Sequence, residues 1–302
     1  MDGTTDRLGP GRVVVGVDGS PTARTAAMWA AREATLRGIG VCLLHATDTA
    51  AASFFLSPAE RDRARQSGRD VLHRTADALT AEYPALPVVT ELSGRPAPDA
   101  LRDAAAPSGT IVVGHRGLGG FPTLAFGAVA LRVTAAATTP VVVVRAAATD
   151  LVEAGAVLAA VRDGDDLGVA RVAAYEALLR KVPLRLLHVW RTTPYAVVRD
   201  TRPNRTAEGA ASLHVHALSD VAELLGDEFP ELALFTEGEK NHSVPGVLVE
   251  ASRHADLLVV GGRRAPGYLG PTLGRTTLGL LQHAHCPVEL IPRGGPGHGS
   301  TA

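Results

Sequence analysis

Residues 111–129 read IVVGHRGLGGFPTLAFGAV. A short, unbroken apolar run enters Gly114, and Gly117, Gly119, Gly120 and Gly127 follow it. Continuous rather than alternating apolar residues mark a strand covered on both faces, as in a parallel sheet with crossover helices. The same segment returns at 258–276 as LVVGGRRAPGYLGPTLGRT. Val113-Gly114-His115-Arg116 is answered by Val260-Gly261-Gly262-Arg263, Gly127 by Gly274, and Pro140-Val141 by Pro287-Val288, each pair 147 residues apart. Leu43-Leu44-His45 returns as Leu186-Leu187-His188 at a spacing of 143, and Asp18-Gly19 as Asp163-Gly164 at 145. Loops absorb such small length differences. The chain is therefore one unit written twice. The expected domains are 1–149 and 150–293, followed by a Gly-rich tail, 294–302, expected to be disordered.

Within the first copy, Val13 to Val17, Val41 to Leu44, Val88 to Leu92, Ile111 to Val113 and Val141 to Val144 are the expected strands. Ser20-Pro21 supplies an N-cap and a first-turn proline, and Gly38 closes that helix. Its stripe of Ala23, Ala27, Ala30 and Ala34 suits a helix lying close on a sheet. Ser57-Pro58-Ala59-Glu60 is a capping box opening a second helix that runs to about Tyr83. Arg95 to Ala106 and Thr123 to Ala137 complete the set. Five strands and four helices per copy make an α/β fold: an open, five-stranded parallel sheet with helices on both faces.

The bulk properties remove several classes of function. Thirty basic residues against 31 acidic ones give a net charge of −1, so neither a nucleic acid nor an anionic membrane is the expected partner. The longest apolar stretch, Phe121 to Val144, is broken by Arg132 and Pro140 and is no membrane span. Residues 1–12 have no apolar centre, so no secretory signal is expected. Cys42 and Cys286 sit in or beside apolar runs, which suggests a reducing compartment and a cytoplasmic protein.

Ligands of open parallel sheets sit at the carboxyl ends of the strands. Two loops there carry chemistry: Asp18-Gly19-Ser20, and Gly114 through Gly120 with Gly127 beyond. Glycines let backbone N–H groups approach an anion, and a following helix adds its positive dipole end. The loop is neither a P-loop nor a Gly-x-Gly-x-x-Gly fingerprint.

Gly114-x2-Gly117-x9-Gly127, with Val17-Asp18-Gly-Ser-Pro near the start and Pro140-Val-Val-Val-Val-Arg145 at the end, resembles the universal stress protein (UspA) family. The resemblance covers the first copy fully and the second in outline. It implies two tandem Rossmann-like (adenine nucleotide alpha hydrolase-like) domains and an adenine nucleotide, ATP with Mg2+, as the ligand; no structural metal is expected. It further implies that Asp18 accepts hydrogen bonds from the ribose or adenine, and that Gly16, Ala46 and Val113 border the adenine. Gly114, Arg116, Gly117 and Gly127 would wrap the ribose and phosphates, and Val129 would add backbone at a helix start. ATP-binding members follow the last Gly with Ser or Thr. Here that position is Ala128, and losing a hydrogen bond to a charged group weakens binding roughly 10- to 100-fold. Thr123 is a candidate substitute hydroxyl. Members of the family pair through the last strand, so Val141 to Val144 and Val288 to Ile291 are expected to pair within the chain, with a homodimer as a further expectation.

The second copy departs further. Arg264 answers Gly117, Arg275 follows Gly274, and Asp163-Gly164-Asp165-Asp166 stacks negative charge where phosphates would sit. This copy is expected not to bind ATP. His45 and His188, at matching strand ends, read as hydrogen-bonded structural residues. His283-Ala-His285-Cys286 has metal-ligand residue types but no fourth partner nearby. No catalytic constellation is legible. Three readings remain open: a nucleotide-binding stress-response module that senses rather than catalyses, a nucleotide-free interaction protein, and a weak ATPase.

Overall fold

The computed structural model describes residues 11–49, 56–118, 126–145, 155–191, 207–262 and 273–292. They fall into two compact units, one holding strands β1 to β5 and the other β6 to β10.

In the first unit β1 (Val13–Gly16), β2 (Val41–Ala46), β3 (Val88–Ser93), β4 (Thr110–Gly114) and β5 (Val141–Val144) lie in the order β3-β2-β1-β4-β5, all parallel. Helices α1 (Pro21–Arg37) and α2 (Pro58–Glu82) pack together, as do α3 (Ala97–Ala105) and α4 (Ala128–Ala135). The connections out of β1 and β4 diverge, which opens a crevice at their carboxyl ends. Val13, Val14 and Val15, Leu43, Ile111, Val112 and the four valines of β5 are buried between the layers.

Capping explains where the first two helices begin. Ser20 Oγ accepts the Ala23 N–H at 3.1 Å, and Gly38 closes α1 in the left-handed conformation at φ 65°. Ser57 and Glu60 form the reciprocal capping box, and α2 ends at Glu82 with Tyr83 as its cap. The alanine face of α1 is wholly buried, and small side chains let the helix sit low on the sheet. Helix α2 crosses β2 and β3 at Gly68. A side chain there would begin only 2.6 Å from His45 Cδ2 and Leu92 Cδ1.

Two helices begin later than the sequence suggests. The helix expected from Arg95 spans Ala97–Ala105. The helix expected from Thr123 spans Ala128–Ala135; Gly127 is its N-cap, extended at φ −73° and ψ 144°, rather than an interior residue. Thr123 lies outside the described residues, as do the domain boundary near 147–153 and the tail after Pro292. The first strand stops at Gly16, one residue short of Val17.

The second unit repeats the plan. β6 (Val157–Ala160), β7 (Leu184–Trp190), β8 (Leu234–Lys240), β9 (Leu257–Gly261) and β10 (Val288–Ile291) are parallel in the order β10-β9-β6-β7-β8. Its helices are α5 (Leu167–Arg180), α6 (Ala207–Glu228), α7 (Val244–Ala251) and α8 (Arg275–His283). Ala170, Ala173, Ala174 and Ala177 of α5 are fully buried, matching α1. Each first helix also buries one acid and pairs it with the arginine four residues on: Glu33 with Arg37 at 2.8 Å, and Glu176 with Arg180. Both cysteines are free and buried, and burial pushes each thiol up to about 12. At neutral pH they are inert thiols.

Candidate functional site

The crevice in the first unit is a cavity of about 260 Å³, and all ten candidate residues line it: Gly16, Asp18, Ala46, Val113, Gly114, Arg116, Gly117, Gly127, Ala128 and Val129. They come from the ends of three adjacent strands and the start of α4. Leu44, Leu101 and Phe126 complete an apolar wall. Leu101 and Phe126 carry no sequence signal for this role. Leu101 reads as an ordinary core position of α3, and only the packing of that helix over β1 brings it to the cavity.

The mouth is polar. Helix α4 has no side-chain cap, whereas Ser20 and Ser57 cap α1 and α2. Among the described residues no side chain caps its first amides, which line the crevice at the positive end of the helix dipole. Arg116 is exposed beside them. Gly127 closes the approach by donating its N–H to His115 O at 2.8 Å. The backbone of Gly114 packs so closely on α1 that a Cβ would lie 2.9 Å from the Thr22 carbonyl. Thr22 Oγ1 also bonds the Arg116 carbonyl, tying the loop to the helix.

Asp18 also makes contacts of its own within the protein. Its Oδ1 accepts the Ser20 N–H at 2.9 Å and its Oδ2 accepts the Leu118 N–H at 2.8 Å. Both oxygens are engaged by the protein's own backbone, leaving one remaining lone-pair direction on each for a ligand. Gly117 is bare for the same reason: a Cβ there would lie 2.3 Å from Asp18 Oδ2.

His115 is buried behind the loop, and its Nδ1 has no partner among the described residues. Burial, reinforced by the guanidinium groups of Arg145 and Arg116, lowers its pKa to about 4. Arg145 is itself held below the usual arginine range by burial and by Arg116. The imidazole is therefore neutral at neutral pH.

In the second unit Gly274 keeps the extended cap geometry of Gly127, at φ −67° and ψ 155°. Arg275 is exposed at the first position of α8, and Arg264 lies outside the described residues. The stacked charge expected at Asp163 to Asp166 needs correction. Asp166 is buried inside a 3-10 turn (Gly164–Asp166), where Arg162 grips its carboxylate at 2.9 and 3.1 Å. Burial pushes that carboxyl up against the pull of Arg162. Only Asp163 and Asp165 are left on the loop surface. His45 and His188 hold matching places, each with Nδ1 donating to a carbonyl at 2.7 Å, Val17 in one copy and Val161 in the other. Among the described residues no group of three His, Cys, Asp or Glu side chains is placed to hold a metal.

The sequence pattern of the Universal stress protein family matches residues 10–145 and again residues 155–292. The chain belongs to the universal stress protein family. A universal stress protein of Mycolicibacterium smegmatis is 29% identical over 294 residues, covering 92% of this chain and 96% of that protein. Universal stress protein Rv2623 of Mycobacterium tuberculosis is 28% identical over 286 residues, 91% of this chain and 94% of its own. The crystal structure of a universal stress protein from Archaeoglobus fulgidus superposes with a TM-score of 0.66 at 16% identity, covering 94% of this chain and 98% of that one. At that identity the likeness concerns the fold. Tandem universal stress protein domains thus account for nearly the whole sequence, and no described helix is long and apolar enough to cross a membrane.

Proposed function

We propose that the first domain binds an adenine nucleotide, ATP with Mg2+, and that the protein senses this ligand in the cytoplasm rather than transforming it. One observation carries the reading. The uncapped amides of α4 and the exposed Arg116 stand at the mouth of an apolar slot that ends beside a carboxylate. A flat ring suits the slot walls of Leu44, Leu101 and Val113, while phosphates suit the helix N-terminus. The hydroxyls of a ribose suit the lone pairs left on Asp18, since an ionised carboxylate only accepts. Binding would act by shifting the population of the protein's conformations. In the second domain Arg275 and the charged Asp163-to-Asp165 loop oppose the same ligand.

Isothermal titration of the full chain with Mg-ATP tests this. One site per chain is expected, weakened by the missing hydroxyl at Ala128. No heat and no thermal shift at millimolar ATP would overturn it, and two equivalent sites would overturn the restriction to the first domain. A nucleotide-free interaction protein is the second reading, favoured by Ala128 and by the commitment of Asp18 to backbone amides.

A further inference from the structure

Gly117 invites an explanation other than ligand contact. Glycine at such a loop usually means that something must approach the backbone closely. Here the approaching group is visible, and it is Asp18, whose Oδ2 lies 2.3 Å from where a Cβ at 117 would stand. The same oxygen accepts the N–H of the next residue, Leu118, at 2.8 Å across 100 residues of sequence. Its fellow oxygen is anchored on Ser20 N at 2.9 Å, at the entrance to α1. The carboxylate is thus a rivet between the end of β1 and the loop leaving β4.

The second copy supplies a contrast. Asp163 keeps the near half of the arrangement, its Oδ1 accepting the Asp165 N–H at 3.1 Å. The residue answering Gly117 is Arg264. A side chain at that place is incompatible with an aspartate seated as Asp18 is.

We propose that Asp18 is a positioning residue for the glycine loop: its Oδ2 holds Gly117 and Leu118 against the end of β1, and Gly117 is glycine in order to admit that carboxylate. The loop is then preformed before any ligand arrives, which lowers the ordering cost of binding. The clasp stands whatever the ligand is; its effect on affinity rests on the nucleotide reading above.

A double-mutant cycle on the full chain separates the two explanations of Gly117. The ligand-free readout is amide hydrogen exchange at Leu118 in wild type, Asp18→Ala, Gly117→Ala and the double variant. Each single change is expected to raise exchange about tenfold, as befits losing a charge-assisted hydrogen bond. The double variant is expected to exchange no faster than Asp18→Ala alone. Additive increases, or no change in Gly117→Ala, overturn the proposal. So does an equal rise at every sheet amide together with a lower urea midpoint, because that marks general destabilisation. Asp18→Asn, which keeps the shape, replaces Asp18→Ala should the latter fail to fold. The second readout is ATP affinity: Gly117→Ala is expected to cost about tenfold with Asp18 present and less than about threefold without it. Equal losses in the two backgrounds overturn the proposal and assign Gly117 to the ligand. A chain that binds no ATP at all defeats the nucleotide reading alone, and the exchange data still decide the clasp.

Discussion

The two repeats enter their first helices by different routes. In the first, Ser20 caps α1 directly, and Asp18, two residues before it, reaches across to the loop after β4. In the second, a 3-10 turn intervenes, Asp166 turns into the fold toward Arg162, and Asp163 accepts the N–H of Asp165 in its own loop. Several features beneath those loops are alike. Both copies keep the alanine face, the buried Glu paired with an Arg one turn on, and the imidazole bonded to the carbonyl after the first strand. The difference teaches that the core of the repeat persists while the loops at the ends of its strands change partners.

That comparison can be broken from either side. The largest effect is expected from Gly117→Arg, which gives the first copy the residue of the second. The side chain must displace Asp18, so Mg-ATP affinity should fall at least about a hundredfold by calorimetry. Retained affinity would show that the second copy's arginine is no obstacle. Next comes Arg162→Ala in the second copy. It leaves Asp166 buried without its bidentate partner and should cost about 2 kcal/mol in urea denaturation, less than a fully buried pair because Arg162 is half exposed. The same substitution should leave nucleotide binding untouched. Ala128→Ser sharpens the comparison in the other direction. A hydroxyl at the first residue of α4 should tighten Mg-ATP by about tenfold, measured by the same titration.

The smallest effect concerns pH. The unfolded chain takes up a proton on His115 near the ordinary 6.5, while the folded protein resists until about 4. Stability should therefore be undiminished above 6.5 and decline as pH falls from there to about 4. Histidine-to-glutamine substitution at 115 should flatten that slope in urea midpoints measured across the window. An unchanged slope would assign the acid sensitivity to other groups.

Much of the fold is legible in the sequence because it rests on local chemistry. Ser20, Ser57 and Gly38 act within one turn of themselves, and the valine runs need only be short and continuous. The repeat of Val113 to Arg116 at Val260 to Arg263 places two equivalent loops without any reference to coordinates. All ten candidate residues meet in one cavity because strand order and crossover rules bring those loops together. What escapes the sequence is set by distant partners. Gly127, the N-cap of α4, is fixed where its N–H meets the backbone carbonyl of His115, twelve residues back. Asp18 finds Leu118 a hundred residues away. Leu101 reaches the cavity through the lean of α3, which no periodicity encodes.

The seat of α2 on His45 and Leu92 has a mechanical corollary. One turn beyond Gly68, Val71 rests its Cγ2 3.2 Å from where a side chain on Gly19 would begin, beside Asp18. Helix α2 buries Gly68, Val71, Leu72 and Leu79 along this seat, so a change in depth at one is passed to the next. Adding a single methyl group at 68 would lift it from the sheet and withdraw Val71 from the hinge of the aspartate loop. The depth of one contact on the far side of β2 thus trims the aim of a carboxylate that it never touches.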